Sequence, residues 1–143
     1  MGLKMGIQPN ILLTNIEAFS SNSVDVDLLE DANHFHIPGL TGNLIAFNIN
    51  GNSMSPTIKT GDMVICHPID KVSEIKDNDI YAVVTNQSVW VKRVVKHSIK
   101  KGQWTHLKLI SDNFHEFNPF LIEIVDVKRM LKVKHRLTGL EAY

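Results

Sequence analysis

The chain predicts a mostly β protein, a single compact domain of twisted antiparallel sheets. Three observations carry that expectation. From residue 44 onward the apolar residues gather in short runs rich in Val, Ile and Leu, at 44–49, 63–66, 80–85, 89–95, 104–110 and 121–133. Asn, Gly, Asp and Ser punctuate these runs, as turn residues do between strands. No stretch sustains the 3.6-residue period of an amphipathic helix. A length of 143 residues suits one core and is too short for two full domains.

Taken in order, residues 1–43 read as an N-terminal arm or linker, partly extended and packed on the domain formed by 44–143. Their apolar clusters, Ile11-Leu12-Leu13 and Leu28-Leu29, are separated by Ser20-Ser21-Asn22-Ser23 and followed by Pro38-Gly39. After the run 44–49, Asn50-Gly51-Asn52 forms a turn, and Gly61-Asp62 a second one before 63–66. Asn86-Gln87-Ser88 lies between two Val-rich runs and predicts a β-hairpin whose second strand carries Lys92. Strand alternation then sets Lys92 on one face with Trp90 and Val94, and Val91, Arg93 and Val95 on the other. The basic run Lys128 to Arg136 interleaves with Val127, Leu131 and Val133 at strand spacing, so it reads as a solvated or subunit-facing strand.

Composition narrows the function classes. Lys+Arg and Asp+Glu are equal at 15 each, so no global field draws the chain to nucleic acid or anionic lipid. The single cysteine, Cys66, fits a reducing compartment, and the expected location is cytoplasmic. No apolar run reaches the roughly 20 residues of a bilayer span, and the start Met1-Gly2-Leu3-Lys4 lacks a signal peptide's apolar segment; no membrane partner is expected. Seven histidines show no compact zinc spacing, so neither metal nor cofactor is expected.

The chemistry concentrates in Gly51-Asn52-Ser53-Met54-Ser55-Pro56, running on to Gly61-Asp62, and in Val91-Lys92-Arg93-Val94. A serine hydroxyl is a weak nucleophile at neutral pH and needs a base within hydrogen-bond reach; a desolvated lysine can be that base. The amine must be neutral, which means moving its pKa from about 10.4 towards ~7, a differential cost of ~4–5 kcal/mol that burial supplies. Ser53 is therefore the candidate nucleophile and Lys92 the candidate base. Backbone N–H groups at Ser53 and Met54 are candidates for an oxyanion hole. Met54 packs beneath the nucleophile or lines a substrate groove, Pro56 stiffens the turn, Asp62 caps one, and Cys66 reads as a small core residue.

These motifs, in this order, resemble the serine-lysine peptidase domain shared by LexA, lambda-type CI repressors and UmuD, with bacterial signal peptidase I more distant. The resemblance runs from about Ile37 to Val133 and includes Leu107-Lys108-Leu109-Ile110-Ser111-Asp112-Asn113, continuing to Phe117 and Pro119. It implies the LexA C-terminal fold and a Ser53–Lys92 dyad without Asp62 as a third member. It puts Asn113 in a loop near the lysine, where it could give a supporting hydrogen bond. It also implies intramolecular peptide cleavage, activation by a RecA-like filament, and a homodimer using residues near the C-terminal end. DNA would be bound only through a helix-turn-helix domain, which residues 1–43 do not supply. Family members usually cut an Ala-Gly or Cys-Gly bond a few dozen residues before the serine. Neither dipeptide occurs here, and the corresponding region is Ala18-Phe19-Ser20-Ser21. Three readings stay open: a repressor's regulatory domain that cleaves itself, a free-standing UmuD-like or catalytically idle interaction module, and a soluble signal-peptidase-like enzyme.

Overall fold

The computed structural model describes residues 11–14 and 33–140. Nine strands appear among them: β1 (Ile11–Leu13), β2 (Asn33–Phe35), β3 (Leu44–Asn48), β4 (Met63–Ile69), β5 (Ile80–Thr85), β6 (Val89–His97), β7 (His106–Ile110), β8 (Phe120–Glu123) and β9 (Val127–Leu137). They form one sheet in the order β2-β1-β3-β4-β9-β5-β6-β7-β8. Every neighbouring pair is antiparallel except β1 and β3. Among the described residues no helix is long and apolar enough to cross a membrane.

The sheet buries side chains on both faces along its centre, which is why β3 and β5 read as continuous apolar runs rather than alternating ones. Ile45, Phe47, Val64, Cys66, Ala82, Val84, Val91 and Leu131 share one core with Met54 and Ile58. The intervening residues build two further cores. Ile11, Leu44, Ala46 and Ile65 lie at the β1–β3–β4 end. Tyr81, Val83, Val94, Leu107, Leu109 and Met130 lie at the β5–β6–β7 end. Tyr81 is fully buried, and its hydroxyl accepts a hydrogen bond from the Lys76 N–H at 2.9 Å, so its polar tip is satisfied.

The structure refines two element readings. The run 121–133 is two strands, because Ile124–Asp126 forms a 3₁₀ turn that swings the chain from the β8 edge into the gap between β4 and β5. Within the arm, Ile11–Leu13 is a strand parallel to β3, and Ile11 has no solvent exposure. A three-residue strand flanked by polar residues shows no period of its own; burial against β3 makes it one. The Asn86-Gln87-Ser88 turn joins β5 to β6 as expected. Thr85 closes it, its N–H donating to the Ser88 carbonyl at 2.9 Å and its Oγ1 accepting from the Gln87 and Ser88 N–H groups.

Candidate active site

Ser53 sits in the long connection between β3 and β4. Two backbone hydrogen bonds, Ile49 N–H to Asp62 O and Gly61 N–H to Ile49 O, each 2.8 Å, close the neck of this loop. Gly61 has φ of 91°, a left-handed conformation that glycine adopts without a Cβ penalty. Asp62 is 2 % exposed and accepts a hydrogen bond from the Lys59 N–H at 2.8 Å, so it is a turn-capping aspartate. Within the loop, Ser55 N–H donates to Asn52 O and Ile58 N–H to Met54 O, and the Ser55–Pro56 peptide bond is cis. The N–H groups of Ser53 and Met54 donate to no described residue. Met54 is anchored in the central core, 3 % exposed, and also lines the cleft beside Ser53.

Lys92 comes from the middle of β6, opposite Tyr81 on β5. It is 6 % exposed, and no carboxylate pairs with it among the described residues. Its Nζ donates to Ser111 Oγ at 2.8 Å and lies 5.5 Å from the centre of the Phe117 ring. Burial lowers the pKa of the amine below the ordinary lysine value, because the charged form loses hydration that one neutral hydroxyl does not replace. The other lysines of this region differ: Lys96 pairs with Asp77 at 3.2 Å and Lys132 with Asp79 at 3.1 Å.

Ser53 and Lys92 line one cleft of about 110 Å³, with Met54, Ile58, Val91 and Trp90 as apolar walls. The two side chains share this cleft without a hydrogen bond between them; the amine's bond is to Ser111. A base–nucleophile contact that is loose in an empty site and tightens with substrate is common.

The tripeptide Ser111-Asp112-Asn113, just past β7, ties the two halves together. Ser111 holds the Lys92 amine. Asp112 takes Arg93 in a two-pronged ion pair, Nε at 2.7 Å and Nη2 at 3.0 Å, and accepts from Thr57 Oγ1 at 2.5 Å. Burial pushes the Asp112 carboxyl up, but the Arg93 and Thr57 hydrogen bonds outweigh it and hold the group below the usual carboxylate range. The Asp112 N–H also points at Met54 Sδ, 3.4 Å away. Asn113 donates its N–H to Ser53 O at 3.0 Å and its Nδ2 to Asn52 O at 3.2 Å. Asn113 therefore supports the serine turn, and the residue that touches the lysine is Ser111. Sequence reasoning passed over Ser111 and the Arg93–Asp112–Thr57 link. The signal was in the register: Arg93 pairs with Ile110, so Ser111 is the next residue across from Lys92.

Cys66 is fully buried in the central core, where burial pushes its thiol far up, so it is a small core residue. Among the described residues no group of three or more His, Cys, Asp or Glu could hold a metal ion. The region Ala18 to Ser21 lies outside the described residues.

Comparison with known proteins gives two findings. An uncharacterized HTH-type transcriptional regulator of Haemophilus influenzae is 42% identical over 80 residues, 56% of this chain and 30% of the relative's length. The chain thus matches less than a third of that protein. The family described as Peptidase S24-like matches residues 15–133, a span that contains both Ser53 and Lys92. The chain belongs to the Peptidase S24-like family.

Proposed function

We propose that this chain is the dimerising regulatory domain of a LexA/CI-like transcriptional repressor, and that it cleaves a peptide bond of its own polypeptide with Ser53 as nucleophile and Lys92 as general base. The observation that carries this is a lysine 6 % exposed, with a neutral hydroxyl and no carboxylate beside it, in the same cleft as Ser53. In the reaction Ser53 Oγ attacks the scissile carbonyl carbon and its proton passes to Lys92 Nζ. The tetrahedral oxyanion is held by the N–H groups of Ser53 and Met54, which have no other described acceptor. Collapse breaks the C–N bond, and the protonated Lys92 gives its proton to the leaving amine. A water molecule, deprotonated by Lys92, then hydrolyses the acyl-serine to a carboxylate and restores the serine. The HTH-type relative supports a setting in which DNA is bound by a separate domain; the cytoplasm is the proposed location and a RecA-like filament the proposed activating partner.

A second reading has its own support. Lys92 is bonded to Ser111 rather than Ser53, and the chain has no Ala-Gly or Cys-Gly bond, which favours a UmuD-like or idle interaction module. A soluble signal-peptidase-like enzyme acting on added peptides is the weakest alternative. The test is intact mass over time at about pH 7 and about pH 10, for the chain and for Ser53→Ala and Lys92→Ala, since high pH favours the neutral amine. Clipping near Ala18 to Ser21, faster in alkali and lost in both variants, is the expected result. A folded chain that stays intact at both pH values favours the idle module, and cleavage of added peptides alone favours the third reading.

A further inference from the structure

We propose that the groove along the outer edge of β8 docks an extended, basic segment of a partner protein. β8 ends the sheet: it pairs with β7, and its other edge has no strand partner among the described residues. A groove of about 410 Å³ lies there, lined by Leu121, Ile122 and Glu123 of β8, by Asp126 of the following 3₁₀ turn, by Trp90 of β6 and by the β5–β6 turn. Side chains of a strand alternate between its faces, so three consecutive lining residues place the groove along the strand's edge. That shape suits a chain laid beside β8, with main-chain hydrogen bonds to the open edge.

The lining selects the charge of the occupant. No Lys or Arg lines the groove. The Glu123 and Asp126 carboxylates make no hydrogen bond or ion pair with any described residue, whereas Asp77, Asp79 and Asp112 are answered by Lys96, Lys132 and Arg93. Trp90 is set by an edge contact with the Phe120 ring, centroids 5.4 Å apart. An indole beside two carboxylates is a seat for an ammonium or guanidinium group, drawn by the ring quadrupole and by the opposite charge together. Leu121, 46 % exposed, and Ile122 offer apolar contact between the charged positions. Basic residues alternating with aliphatic ones match this lining.

The chain's own residues 15–32 do not match it. They carry Glu17, Asp25, Asp27, Glu30 and Asp31 and no Lys or Arg, and like charges brought together across an interface cost affinity. A partner must therefore bring the cations. Trp90 also lines the cleft that holds Ser53 and Lys92, so an occupant of the β8 groove shares a wall with that cleft. Docking itself needs no peptide cleavage and is measurable on a chain that stays intact.

The test is fluorescence anisotropy of a labelled peptide alternating Lys and Val, titrated with the chain and with the Glu123→Lys/Asp126→Lys double variant. A milder Glu123→Gln/Asp126→Asn pair stands beside it, and melting curves check that both fold. Trp90 and Trp104 are the two tryptophans, so in a Trp104→Phe chain the intrinsic emission reports Trp90 alone. Competitors are an Asp/Val peptide and spermine. The expected result is binding tighter than about 1 mM that shifts the Trp90 emission, weakened about tenfold or more by the charge reversal, less by the neutral pair, and reduced by added salt. Neither competitor should match the unlabelled Lys/Val peptide. Absence of binding in that range, binding indifferent to the reversal, an unmoved Trp90 emission, or displacement by spermine as effective as by peptide would overturn the proposal. So would sedimentation showing that the reversal abolishes a dimer of the parent chain, which would assign the groove to a second copy.

Discussion

Lys92 and Arg93 are neighbours on β6, yet the two faces of the strand treat their charges in opposite ways. Arg93 is about a third exposed and meets Asp112 in a two-pronged ion pair, so its charge is fully answered. Lys92 points to the Tyr81 and Val94 face, is buried, and meets only a hydroxyl and the Phe117 ring. One face holds a permanent cation in place for structure; the other makes an amine easy to deprotonate. The same tripeptide serves both, with Ser111 on the lysine and Asp112 on the arginine. Neutral and charged partners at adjacent positions are what separate a candidate base from a strut.

The sharpest way to break this contrast is to put an arginine's chemistry on the lysine's face. Lys92→Arg places a group that stays protonated where no carboxylate waits, and we expect a loss of about 3 kcal/mol in urea unfolding, with no cleavage at any pH. Wild-type stability in that variant would show the site to be wetter than its burial indicates. Next in size is the strut. Asp112→Ala and Arg93→Ala should each cost about 1–2 kcal/mol, reduced by the solvent exposure of Arg93, and the double variant should cost less than the sum. Strict additivity would mean that the ion pair contributes nothing to the fold.

Lys92→Met sharpens the comparison through pH. Burial lowers the amine's pKa in the folded chain, so between that value and the ordinary value of 10.5 the unfolded chain binds more protons. Stability of the parent chain therefore rises with pH through this window, and the depressed amine is a burden below it. The Met variant lacks that slope. It should be about 1 kcal/mol more stable at pH 7, with the gap closing as pH approaches the ordinary lysine value. Parallel stability curves for the two proteins from pH 6 to pH 10 would contradict a buried, depressed lysine. The smallest effect is expected for Ser111→Ala, about 1 kcal/mol for a lost neutral partner, together with slower cleavage whose pH dependence still follows Lys92. Unchanged cleavage would make Ser111 a bystander.

Much of this site was legible in the chain. Asn86-Gln87-Ser88 between Val-rich runs gave the hairpin, and a period of two put Lys92 on the Trp90 and Val94 face, because both depend on a few adjacent residues. The turn run Asn50-Gly51-Asn52 marked Ser53 as a loop residue for the same reason, whereas its half-burial depends on packing. The partners of Asn113 were not legible: a loop's position in sequence does not say which of its three polar side chains faces which neighbour. The split of 121–133 into β8 and β9 was hidden as well, since Ile124-Val125-Asp126 is as apolar as the strands it separates. β1 was hidden because three residues carry too little pattern to outweigh their polar surroundings.

By itself, then, the sequence determined the β texture, the turns and the side of the strand from which each of Lys92 and Arg93 leaves, since sterics and side-chain polarity act over short distances. Only the tertiary structure decided what those side chains meet. The pairing of Arg93 with Ile110 brings Ser111 opposite Lys92, and the tie from Asn113 to Ser53 brings the serine loop onto the same end of the sheet. A lysine's proton affinity is set by the water and charges around it, and those are supplied by residues distant in the chain.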